Sequence, residues 1–222
     1  MSLTITNKKD YGYRKELPRP IFNLILGLTI GYGFLMNFII TFFFSGFIME
    51  NIPFVATLIG YFILAFSGII IMKKSENPTF SFLGYNMLVV PIGVMLAYVL
   101  PGYALSTILI TCFITTICTI CMMVAAMIFP DFFLKIGGPL CISLLVCIII
   151  ELILLLCGVN LGIMDWIVAL IFCGYIGYDW AKINRYEIYT VDMAIDGAGE
   201  LYLDIINLFL RILSIIGGKD ND

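Results

Sequence analysis

Seven runs of about twenty residues, each nearly free of charge, divide this chain, and no other feature restricts its fold so strongly. A helix needs about 20 mostly apolar residues to cross the hydrocarbon core of a bilayer. The runs cover residues 21–47, 53–72, 80–100, 103–129, 139–159, 165–181 and 198–216. Between them stand "MENIP", "KKSENP", "PG", "PDFFLKIGG", "NLGIM" and "KINRYEIYTVDMAIDG", whose Pro, Gly, Asn and charged residues read as turns and loops. Hydrophobic residues make up 62% of the chain, against ~45–50% in soluble domains. The sequence therefore predicts an all-α integral membrane protein with seven transmembrane helices and the lipid bilayer as its main surroundings.

Lysine and arginine collect on the cytoplasmic side of membrane proteins. Lys8, Lys9, Arg14, Lys15 and Arg19 precede the first run, Lys73 and Lys74 follow the second, Lys135 follows the fourth, and Lys182 and Arg185 follow the sixth; only Lys219 falls on the other side. This asymmetry predicts a cytoplasmic N-terminal segment (1–20), a seven-helix membrane domain (21–217) and a short extracytoplasmic tail (218–222). In a bacterial source the membrane would be the plasma (inner) membrane. The first run is too long for the h-region of a signal peptide and lacks an A-x-A site, so it is expected to remain in the mature protein.

Several function classes lose ground at once. A net charge of −3 with no basic surface argues against nucleic acid as a partner, and the absence of His removes the commonest general base and metal ligand. No enzyme activity and no resident cofactor are expected. The seven cysteines all lie in apolar runs and read as reduced packing residues, the Cys118/Cys121 pair included. Gly27 and Gly31 form a GxxxG that predicts a close helix contact. The threonines of "CFITTICTICMM" are read as packing, their hydroxyls bonded back to their own helix.

What remains are the ionisable residues inside the runs, each costing on the order of 2.5–3.5 kcal/mol at the bilayer centre and each therefore in need of a partner or a task. The seventh run holds Glu200, Asp204, Asn207 and Arg211; the sixth holds Asp179 and the fifth Glu151. Asp204 and Arg211 are seven positions apart, nearly two full turns, with Asn207 close to the same line, so the seventh helix carries one polar stripe. Asp192, Asp196, Glu200 and Asp204 recur every four residues: an acidic ladder if the helix starts early, a solvated loop and helix N-terminus if it does not. Antiparallel sixth and seventh helices bring Asp179 and Asp204 to one depth. Lys182 or Lys73 could be a counterion there. Arg211 lies about 10 Å along the helix from Asp204, too far to pair with it, and Glu151 is the deep carboxylate left for it. A buried Glu151–Arg211 ion pair is thus expected.

"GYIGYDWAKI" (174–183), followed by "LYLDIINLFLRILSIIG" (201–217), resembles the closing signature of the transmembrane Bax-inhibitor-motif family, as does the count of seven spans. The resemblance implies a central seventh helix enclosed by two layers of three. It also implies a passive, pH-sensitive calcium (cation) leak channel, whose gate is a pair of facing aspartates. Carried over, Asp179 and Asp204 are the pH sensor and gate and bind Ca²⁺ weakly, Asn207 and Glu200 support them, and calcium ions and protons are the partners. Two departures stand out. Trp180, Ala181 and Lys182 follow the Tyr-Asp where the family has a neutral polar residue and a glutamine, and Lys73 and Lys74 stand where bacterial members carry an arginine. The alternative function is a non-conducting membrane regulator that binds proteases or cell-death proteins. An intramembrane aspartyl protease would need a Gly-x-Gly-Asp pattern that this chain lacks.

Overall fold

A computed structural model describes residues 16–159 and 161–218. The expectations for Lys8, Lys9, Arg14, Lys15 and Lys219, and for most of the two terminal segments, lie outside these residues. The described chain is helical throughout: α1 (Arg19–Asn51), α2 (Phe54–Lys74), α3 (Pro78–Val99), α4 (Leu105–Ile128), α5 (Pro130–Leu156), α6 (Ile163–Ile183) and α7 (Val191–Gly217). Prolines set several starts, since the first helical turn has no use for their missing N–H: α1, α3 and α5 each carry one there. Asn77 caps α3 by accepting from the Thr79 backbone N–H at 2.9 Å. A 3-10 turn over Leu100–Gly102 separates α3 from α4.

The first six helices are long and apolar enough to cross a membrane, which makes this a multi-pass integral membrane protein. The seventh is of a different kind. Its acids and Arg211 lower its hydropathy, yet it is the best buried helix after none, with Ala194, Ala198, Leu201, Tyr202, Leu208 and Leu213 sealed from the surroundings. Helices α1 and α2 both pack on α3, α4 and α5 both pack on α6, and α7 lies against α1, α3, α4, α6 and, more lightly, α2. Two apolar clusters meet on it: Leu201 and Leu208 join Val168, Phe172 and Ile176 on one side, while Tyr202 and Phe209 join Tyr85, Val89 and Ile92 on the other.

Three expectations need correction. "PDFFLKIGG" is no turn: α5 runs through Gly137, Gly138 and Pro139 without a break. Gly137 is there because a Cβ would collide with the ring of Tyr178 on α6, so the glycine is a packing device within the helix. Gly27 and Gly31 make no close helix contact, since nothing lies within 4 Å of where their Cβ atoms would be. The close approach belongs to Gly33, under the rings of Tyr85 and Tyr202. Finally, most of the supposed sixth loop is helix, because α7 begins at Val191.

The ends of the helices tie together consistently. Leu17 N–H donates to the Tyr189 carbonyl at 2.8 Å, Arg19 donates to Asn184, and Arg185 pairs with Asp131. The starts of α1, α5 and α7 and the end of α6 thus share one end of the molecule. At the other, Tyr98 of α3 donates to the Ile48 carbonyl near the end of α1 at 3.2 Å.

Candidate ion path along the seventh helix

The early start of α7 puts Asp192, Asp196, Glu200 and Asp204 on one continuous helix, and Asp192 is buried. Spacings of three and four residues then carry the same face through Glu200, Asp204, Asn207, Arg211 and Ser214. Each of these side chains has a defined setting.

Asp179, four residues from the end of α6, and Asp204 are each only 8% exposed. The two carboxyl groups are close enough to influence each other's charge, and Asp204 Oδ2 is buried with no hydrogen-bond partner. Lys182 does not pair with Asp179. Its Nζ donates to both oxygens of Glu200, at 2.8 and 2.7 Å, because one turn beyond Asp179 on α6 it meets α7 one turn before Asp204. The charges of Glu200, Lys182 and Lys73 all reach Asp179 through space. In the connection outside the helices, burial and then the Glu200 carboxylate push the Tyr186 phenol up to about 12, so it stays protonated beside the Lys182–Glu200 pair. Asn207 donates to the Leu203 carbonyl of its own helix at 2.7 Å.

Arg211 sits between two acids. Its Nη1 donates to Glu151 Oε1 at 2.6 Å and to Asp165 Oδ1 at 2.8 Å, and its Nη2 donates to Glu151 Oε2 at 2.8 Å. Ser214 Oγ donates to the second oxygen of Asp165 at 2.7 Å. A planar guanidinium fork suits this bidentate task. Sequence reasoning missed Asp165 and Ser214. Asp165 looked like the border of a span, and the signal that could have found the contact was Ser214, one turn beyond Arg211 on the polar stripe.

Cavities link these groups. One of about 120 Å³ is lined by Lys73, Asp196 and Glu200. Ile69, Leu88 and Leu203 also border the next, of about 400 Å³, which holds Asp204, Asn207, Glu151 and Arg211. Glu151 and Arg211 in turn border a third, of about 540 Å³, with Asp165 and Ser214. The charged stripe of α7 therefore borders three neighbouring cavities in turn, with Arg211 lining the last two. Among the described residues no group of three or more potential metal ligands converges. Asp204 is the member of the buried aspartate pair that borders this wall, with Asn207 about one turn beyond it on α7.

The family described as "Inhibitor of apoptosis-promoting Bax1" matches residues 21–221. Protein LIFEGUARD 4 of Arabidopsis thaliana is 43% identical over 74 residues, 33% of this chain and 29% of that protein. A BI1-like protein of the same plant is 51% identical over 53 residues, 24% of this chain and 20% of its own length. Protein LIFEGUARD 2 is 36% identical over 80 residues, 36% of this chain and 33% of that protein. The matched stretches thus span a third or less of these relatives.

Proposed function

The chain belongs to the family of inhibitors of apoptosis-promoting Bax1, and from that premise we propose that it is a passive, pH-regulated calcium (cation) leak channel gated by Asp179 and Asp204. In this reading all seven helices span the membrane, with the N-terminus cytoplasmic. Helices α1–α3 and α4–α6 form two layers around α7. No catalytic step is assigned to it.

The observation that carries the reading is the pair of buried carboxylates on α6 and α7, of which Asp204 lines a cavity beside α7. Two ionised carboxylates about 4 Å apart repel by roughly 4 kcal/mol at an effective dielectric constant of about 20. One shared proton removes that repulsion and allows a carboxyl-to-carboxylate hydrogen bond. Acid therefore favours the bridged pair. At higher pH the pair must separate or take up a cation, and Ca²⁺ accepts carboxylate and carbonyl oxygens. Two carboxylates are too few for tight storage, which suits passage. Lys182, held by Glu200, and Lys73 set the local charge at the cytoplasmic side, and the Glu151–Arg211–Asp165 cluster closes the outer half of the path.

The decisive experiment is calcium flux into liposomes holding the purified protein, measured across pH. Asp179→Asn and Asp204→Asn keep shape and most hydrogen bonding but cannot titrate, so each is expected to flatten the pH dependence of flux while the protein stays folded. A normal pH response in both variants would place the gate elsewhere. The family's description favours a second reading, a non-conducting regulator that acts by binding other membrane proteins, and that reading requires no calcium flux from the pure protein at any pH.

A further inference from the structure

Two charged contacts cross from α6 to α7 about one turn apart. Asp179 and Asp204 are the deeper pair, near enough to influence each other's charge. Lys182, three residues after Asp179, meets Glu200, four residues before Asp204, and its Nζ donates to both carboxylate oxygens at 2.8 and 2.7 Å. Because α6 ends and α7 starts in that direction, the Lys182–Glu200 pair stands between the aspartates and the end of the molecule that holds Arg19, Arg185 and Asp131.

Glu200 borders the cavity of about 120 Å³ together with Asp196 and Lys73, and Ile69, Leu88 and Leu203 are common to that cavity and the one that Asp204 lines. A cation moving along α7 from that end therefore meets Glu200 one turn before Asp204. In the structure the charge of Glu200 is already matched by Lys182, which bonds both of its oxygens. The pair is not sealed, however. Its side chains are 37% and 27% exposed, and ion pairs within reach of water are weak. A lysine carries a point charge on a flexible four-carbon stem, so rotation of that stem releases Glu200 without movement of either helix.

We propose that Lys182 is an inner latch on the ion path and one determinant of its selectivity: a tethered ammonium that occupies Glu200 and has to be displaced before that carboxylate can pass a cation on to Asp204. A divalent ion is drawn to a carboxylate more strongly than a monovalent one and so displaces the ammonium more readily. The latch thus favours Ca²⁺ over K⁺. The inference rests on the conduction proposed above and adds to it a residue outside the aspartate pair. A contact that merely held α6 to α7 would suffer alike from the loss of either partner, whereas a latch responds in opposite directions.

The test is calcium and potassium flux through the full chain in liposomes, at one pH and at low ion concentration. Lys182→Met frees Glu200 and is expected to raise calcium flux about fivefold, the equivalent of one half-exposed ion pair, and to raise potassium flux more, so that the preference for calcium falls. Glu200→Gln, which breaks the same pair from the other side, is expected to lower calcium flux by a similar factor. Lys182→Arg should lower it below the unaltered protein, since a planar fork holds a carboxylate by two bonds. Arg185→Gln, which breaks the exposed pair with Asp131 at the same end, should change neither flux. If the unaltered protein conducts and Lys182→Met and Glu200→Gln shift calcium flux in the same direction, or not at all, the latch is refuted and the channel reading survives. An unaltered protein that passes no ions refutes both.

Discussion

At the scale of single residues, the segment "LYLDIINLF" divides its work between two faces of one helix. Asp204 and Asn207 line a cavity beside the helix, whereas Tyr202, fully buried, holds α7 to α1 and α3. Its hydroxyl accepts from Asn37 Nδ2 at 2.6 Å, and its ring meets Tyr85 edge-on at 5.7 Å between centroids. Gly33 makes room for both rings, and Tyr85 in turn donates to the Thr29 carbonyl at 2.8 Å. Tyr202→Phe keeps the ring and strands the Asn37 amide in the interior. The expected cost is about 1–3 kcal/mol, read as a lower unfolding midpoint in detergent, with cation flux retained; an unchanged midpoint would mean that the amide finds another partner. The aspartates were legible in the sequence because charge inside an apolar run has few bland explanations. Tyr202 was not singled out, since an aromatic residue in such a run looks like any other packing residue until its partner is known.

At the scale of elements, α7 differs from its neighbours because both of its apolar faces are used and its third face is polar. That stripe could be read from spacing alone. The continuity of α5 could not: Pro130, two glycines and Pro139 within ten residues have the local chemistry of a turn, and the tertiary contact that calls for a glycine at 137, the Tyr178 ring, is not visible in the sequence. Asp165 was hidden for a similar reason, since a helix N-terminus accounts for an acid without any partner. The Arg211 cluster is the element-scale contact most open to measurement. Arg211→Met leaves Glu151 and Asp165 facing each other without a cation and is expected to cost about 3 kcal/mol, the low end for buried pairs because each side chain of the pair is 28% exposed. Glu151→Gln should cost less, because Asp165 still holds the guanidinium. The double variant should cost less than the sum by about 1 kcal/mol or more, and strictly additive losses would deny the interaction.

At the scale of the whole molecule, one arrangement satisfies both the helix packing and the charges. The start of α1, the start of α5, the end of α6 and the start of α7 gather at one end, where Arg19 donates to Asn184 and Arg185 pairs with Asp131. Lys73 and Lys74 close the last turn of α2, and Lys73 borders the same cavity as Glu200 of α7, which sets that end of α2 beside them. The loops at the opposite end carry no Lys or Arg among the described residues. Cytoplasmic loops collect these residues, so in the proposed reading the charged end faces the cytoplasm. Six helices are apolar enough to cross unaided, and the seventh can cross because its polar face is covered by the others. If it does, the number of crossings is odd and the two ends of the chain lie on opposite sides. A reporter fused after residue 222 is then expected to be active only outside the cytoplasm, and one fused after residue 187, in the connection before α7, only inside it. Cytoplasmic activity from both fusions would show that α7 does not span, and the cavity that Asp204 lines would then belong to no path through the membrane.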